Sequence, residues 1–163
     1  MKRIVMVNSE DFNAISNSKM LEGLSEDDLT KLADYCDKRE MPEGTTVFLE
    51  NMPGESLFLI QSGTIRISRM FAEGDEKILV VLGPEEIFGE MAVIDGLPRS
   101  ATARVAEDAI LISINKASLE KLSQDSASLA LKLISNIARV FSTRVHEAHE
   151  EYRDMLSWSL QKS

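Results

Sequence analysis

The sequence predicts a mainly β fold with flanking α-helices, on three observations. From Met41 to Asn115, glycines at 44, 54, 63, 74, 83 and 96 punctuate apolar runs of strand length, as in an all-β sandwich or barrel. Ahead of this stretch, Ser25 precedes the acids Glu26, Asp27 and Asp28 and the spaced apolar positions Leu29, Leu32, Ala33 and Tyr35, the pattern of a capped helix. Behind it, Leu119, Leu122, Leu129, Leu133, Ile134, Ile137 and Phe141 recur at helical spacing with no glycine or proline to interrupt them.

In chain order, Ile4-Val5-Met6-Val7 is an apolar run between Lys2-Arg3 and Asn8-Ser9-Glu10-Asp11, too short for a secretory core or a membrane span. A short helix over about 26–36 follows, its first-turn acids complementing the helix dipole. Strands are expected at Val47-Phe48-Leu49, Leu57-Phe58-Leu59-Ile60, Ile65-Arg66-Ile67, Ile78-Leu79-Val80-Val81-Leu82 and Ile110-Leu111-Ile112. Ala101, Ala103 and Val105 alternate with Thr102 and Arg104, which reads as a further, half-buried strand. Two helices are expected after Asn115, broken near Gln124-Asp125, the second reaching about residue 160. That second helix carries Ile134, Ala138, Phe141, Val145, Ala148, Tyr152 and Met155 at alternating steps of four and three, a coiled-coil seam. A long amphipathic helix folded back on its own β-core fits the same residues equally well.

Composition narrows the function classes. The 163 residues are 44% hydrophobic and 28% charged, the content of a chain that folds. A net charge of -9 with no basic run disfavours nucleic acid and anionic membrane as partners. With no secretory or spanning segment in view, a cytoplasmic location is expected. Cys36 stands alone, so no intrachain disulfide or cysteine-rich metal site is expected, and the thiol reads as apolar filler beside Tyr35.

Enzyme machinery is not visible. A metal-dependent barrel enzyme needs histidines projecting inward, and the β-region from Met41 to Asn115 has none. His146 and His149 stand in His146-Glu147-Ala148-His149, one residue short of the spacing that aligns two zinc ligands on a helix, and read as solvated. Glu85 and Glu86, adjacent in a Gly-Pro loop, read as plain solvated acids rather than an acid/base pair. No nucleophile elbow, phosphate loop or dinucleotide fingerprint occurs.

One stretch does carry binding chemistry. Phe88-Gly89-Glu90-Met91-Ala92-Val93 is followed by Leu97-Pro98-Arg99-Ser100-Ala101-Thr102-Ala103. Gly89 lets the backbone opening a short helix approach an anion, and Arg99 offers a planar fork for phosphate oxygens. Glu90 is an acceptor-only group suited to a sugar hydroxyl. Phosphate plus sugar hydroxyl points to a nucleotide.

These residues resemble the cyclic-nucleotide-binding domain family, shared by bacterial catabolite activator proteins, protein kinase A regulatory subunits and cyclic-nucleotide-gated channels. Two of its signatures occur in order: Pro53-Gly54-Glu55-Ser56-Leu57-Phe58-Leu59-Ile60-Gln61-Ser62-Gly63, a strand between glycine turns, and the stretch from Phe88 to Ala103, which looks like the family's phosphate-binding cassette. The resemblance implies an eight-stranded β-roll, of the double-stranded β-helix or jelly-roll type, with an N-terminal helix and a long C-terminal helix. It divides the chain into the extension 1–19, a binding domain 20–145 and a continuation of the C-terminal helix over 146–163.

Carried over by position, the resemblance implies that Glu90 and the Gly89 backbone hold the ribose 2′-hydroxyl. Arg99 then pairs with the cyclic phosphate, and the N–H groups of Ser100 and Ala101 complete the anion site. Ile67, Leu79 and Met91 fall where the family lines the ribose and base pocket. Ser100 after the arginine favours cAMP while leaving cGMP open; no prosthetic group or metal is implied. Arg144 and Trp158 are candidates for capping the base. Only nine residues follow Asp154, so a stand-alone sensor is expected, able to dimerise through its last helix or to meet a protein partner. A nucleotide-free scaffold that retains the cassette is the alternative reading.

Overall fold

The structure, a computed structural model, describes residues 3–161. One antiparallel sheet wraps the domain. β1 (Arg3–Met6) pairs with β2 (Asp37–Met41), β2 with β7 (Thr102–Asn115), β7 with β4 (Ser56–Met70) and β4 with β5 (Glu76–Leu82). β3 (Thr46–Phe48) adds to β7, and β6 (Ile87–Phe88) adds to β4.

The described residues form seven strands where a roll of eight is expected, and the reason is local. β4 takes in both Leu57–Ile60 and Ile65–Ile67, and β7 takes in both the 101–105 and 110–112 segments. Each long strand bends through shifts of register between Ile60 and Ile65 instead of breaking. Gly63 makes that bend possible: its φ is +81°, and a Cβ there would lie 2.3 Å from the Asp108 carbonyl oxygen.

Helices close one end of the roll. α2 (Glu26–Ala33) starts on a reciprocal cap between Ser25 and Asp28 and stops three residues short of the expected Cys36. Burial pushes the Cys36 thiol up to about 12, in keeping with its place against the core. Residues 3–19, expected as an extension, supply β1, then α1 (Ser9–Asn13), and bury Phe12 and Ile15 in the same core as Leu32, Leu122 and Leu133. β2 was hidden in the sequence because four of its five residues, Asp37-Lys38-Arg39-Glu40, are charged.

A short α3 (Glu90–Asp95) interrupts the roll, and α4 (Lys116–Asp125) and α5 (Ala127–Gln161) follow it. The break after Asp125 falls where the sequence places it. α5 buries Leu129, Ala130, Leu133 and Ile137, and Asn136, only 2% exposed, donates to the carbonyls of Met20 at 3.0 Å and Glu22 at 2.8 Å. Beyond that anchor the apolar residues Phe141, Tyr152, Met155, Leu156, Trp158 and Leu160 are exposed. The two readings of this helix thus each describe one half: the first folds back on the core, and the second displays its seam to solvent. No helix among the described residues is long and apolar enough to cross a membrane.

Candidate functional site

The chain leaves β6 at Phe88 and turns through Gly89, whose φ of +77° is left-handed. A Cβ at this position would meet Arg99 Nη1 at 2.8 Å and the Ser56 carbonyl oxygen at 2.9 Å, so glycine is required for space as well as conformation. Glu90 then opens α3, and Gly96, again left-handed, ends it. The chain runs back through Pro98 to Arg99, which is pinned at the backbone: its N–H donates to the Met52 carbonyl at 2.9 Å and its carbonyl accepts from the Asn51 N–H at 2.8 Å.

The Arg99 side chain turns inward and is 5% exposed. Nη1 donates to the Gly89 carbonyl at 2.9 Å, Nη2 donates to the Ser56 carbonyl at 2.8 Å, and Nε has no partner. Among the described residues no carboxylate comes within ion-pair range of it. Burial lowers its pKa from the ordinary arginine value while the nearby Glu90 charge opposes that shift, and the guanidinium stays cationic.

Glu90 has the opposite arrangement. It is 6% exposed, yet its Oε1 accepts from Arg144 Nη1 of α5 at 3.1 Å, and Arg144 Nη2 donates to the Ile87 carbonyl at 2.6 Å. The buried acid is therefore neutralised and the buried base beside it is not. Such a site attracts an anion at Arg99 and leaves Glu90 free to accept a hydroxyl.

These groups face a cavity of about 580 Å³. All eight residues singled out in the sequence line it: Ile67, Leu79, Gly89, Glu90, Met91, Arg99, Ser100 and Ala101. Of the two cap candidates, Arg144 lines the cavity and Trp158 does not. The sequence reading missed Phe48 and Phe88 from the strands and Glu147 and Glu151 from α5, which also reach the cavity. It missed the role of Gly54 too, where a Cβ would lie 2.0 Å from Arg99 Nε. A separate depression of about 490 Å³ along Glu40, Met41, Pro42, Ser62 and Asp108 has no basic lining residue. No group of three or more His, Cys, Asp or Glu residues converges as a metal site among the described residues, and His146 and His149 are exposed.

An inward cation beside an ion-paired acid, carried on a helix-interrupted β-roll, makes this a domain built to receive a small anionic ligand. The chain belongs to the cyclic nucleotide-binding domain family, whose model matches residues 38–126. It is similar to the cyclic AMP receptor protein of Thermus thermophilus, 32% identical over 147 residues, which cover 88% of this chain and 64% of that one. The chain thus spans less than two thirds of that relative's length. Among solved structures, the Thermus thermophilus catabolite activator protein superposes with a TM-score of 0.76 at 31% identity, over 86% of this chain and 63% of the other. A cyclic nucleotide-binding domain from Methylobacillus flagellatus reaches a TM-score of 0.84 over 92% of this chain and 86% of its own, at 21% identity, and attests the fold.

Proposed function

We propose that this chain is a regulatory module that binds cAMP, with the cyclic phosphate on Arg99 and the ribose 2′-hydroxyl on Glu90. The observation that carries this reading is the charge pattern: among the described residues no carboxylate is in ion-pair range of buried Arg99, while buried Glu90 is ion-paired to Arg144. A cyclic monophosphate brings one negative charge and one free ribose hydroxyl, which is what the pair can receive. The N–H groups of Ser100 and Ala101 complete the anion site, and Ile67, Leu79 and Met91 give the ribose and base an apolar wall. Ser100 Oγ donates to Met91 Sδ at 3.8 Å, a weak contact that a phosphate oxygen displaces at little cost. The Thermus relative bears cyclic AMP in its name, which favours cAMP over cGMP as the first ligand to test.

In this reading residues 20–145 form the binding domain, and α5 conveys its state. Arg144 holds Glu90 and rides on α5, so a ligand that engages Glu90 bears on the helix. The ligand repositions α5 only to the extent that it binds one helix position more tightly than another. The exposed seam from Phe141 to Met155 then offers a surface for a second copy of the chain. The chain acts as a binding module rather than an enzyme, in line with its regulatory relatives.

Thermal unfolding with cAMP and cGMP tests the reading. Ligand at about a hundred times its Kd stabilises by roughly 2.7 kcal/mol, and Arg99→Ala abolishes the shift. No shift with either nucleotide would sink the proposal and leave a nucleotide-free scaffold.

A further inference from the structure

The Arg99 guanidinium lies over the ring of Phe48, with Cζ 4.0 Å from the ring centroid. Phe48 is itself wedged: its centroid is 6.0 Å from that of Phe58 and 5.8 Å from that of Phe88, and those two stack at 5.1 Å. The space left by Gly54 admits the guanidinium, and the carbonyls of Gly89 and Ser56 hold its two Nη atoms. The Glu90 charge acts on the Arg99 guanidinium only from beyond ion-pair distance, and every group in direct contact with the guanidinium is a dipole or a ring quadrupole. Such groups attract a cation without carrying a net charge of their own. A carboxylate in the same place would hold the arginine as firmly and would repel an approaching phosphate.

We infer that Phe48 is a positioning residue for phosphate binding, its ring face holding Arg99 in the cavity wall with the positive charge uncancelled. The inference rests on the cyclic-nucleotide reading above. Phe48 ends β3, fifty-one positions before Arg99 and outside the cassette, and it is half-buried with a side of its own on the cavity. A ring that served only to fill the core would be replaced by leucine without loss at the anion site.

The experiment titrates the full chain with cAMP by calorimetry for the wild type, Phe48→Leu, Phe48→Tyr and chains carrying one, two or three fluorines on the Phe48 ring. Fluorination drains charge from the ring face while nearly preserving its shape, so a folding defect does not confound the series. Phe48→Leu weakens binding roughly three- to thirtyfold, Phe48→Tyr stays within about twofold, and each fluorine weakens it further. The Nε–H resonance of Arg99 in the ligand-free protein, shifted by the ring beneath it, moves in Phe48→Leu and is retained in Phe48→Tyr. Unchanged affinity across the fluorinated series, in a chain that binds cAMP, overturns the role of Phe48 alone. A wild-type chain that binds neither cAMP nor cGMP overturns the nucleotide reading, and this role with it.

Discussion

Arg144 of α5 reaches within 3.1 Å of Glu90 at the start of α3, and its other Nη atom grips the Ile87 carbonyl at 2.6 Å. One side chain thus bolts the long helix to the cassette while cancelling the charge of its buried acid. Arg144→Ala leaves that carboxylate unpaired next to the proposed phosphate position. The variant should lose about 1–3 kcal/mol of stability and bind cAMP at least tenfold more weakly, read by denaturation and calorimetry. Affinity equal to wild type would show that Arg144 plays no part in preparing the site.

Gly54 and Arg99 interlock. Gly54→Ala puts a Cβ 2.0 Å from Arg99 Nε, a distance that forces the guanidinium out of its seat. Binding of cAMP should fall by about a hundredfold, as for loss of the charge-assisted phosphate contact itself, while the fold survives. A Gly54→Ala chain that binds normally would place the phosphate elsewhere.

Acid should loosen the helical end of the molecule. The hydrogen bond from Lys132 at 2.8 Å, and then that from the Ser25 backbone, hold the Asp28 carboxyl below its ordinary 3.8. A folded-state value below the unfolded one means stability present above about pH 4 and lost as pH falls through the lower folded value. Asp28→Asn should reduce stability at neutral pH and flatten the stability profile below about pH 4, compared by chemical denaturation across that range. An identical pH profile in wild type and variant would remove Asp28 as a contributor.

The exposed seam predicts self-association. Sedimentation should give a mass that rises with concentration, and Phe141→Glu with Met155→Glu should return the chain to a monomer without unfolding it. A monomer at all concentrations, with and without cAMP, would leave the seam to some other partner.

What the sequence discloses depends on how local each feature is. Gly89, Glu90, Arg99, Ser100 and Ala101 fall within thirteen consecutive positions, so their chemistry can be read together, and the family resemblance implies the cassette. Phe48, Gly54 and Arg144 act on the same two charged side chains from far along the chain, and only the closure of the roll brings them together. Glycine punctuation marks the strands of the roll well, yet β2 stays hidden because Asp37-Lys38-Arg39-Glu40 reads as a solvated loop until β1 and β7 flank it. Asn136 is illegible for a related reason. A polar residue on an apolar helix face looks like a surface position until the carbonyls of Met20 and Glu22 are found waiting for it.

The length of α5 has a mechanical consequence. Gln161 lies seventeen positions beyond Arg144, about 25 Å of helix at 1.5 Å per residue. Tilting this lever arm by about 10° at Arg144 would sweep its tip through about 4 Å, whereas the cassette itself need move by only a fraction of that. A rod bolted near its middle and exposed along its far half would turn a small rearrangement around a bound anion into a displacement large enough to be felt by a neighbouring molecule.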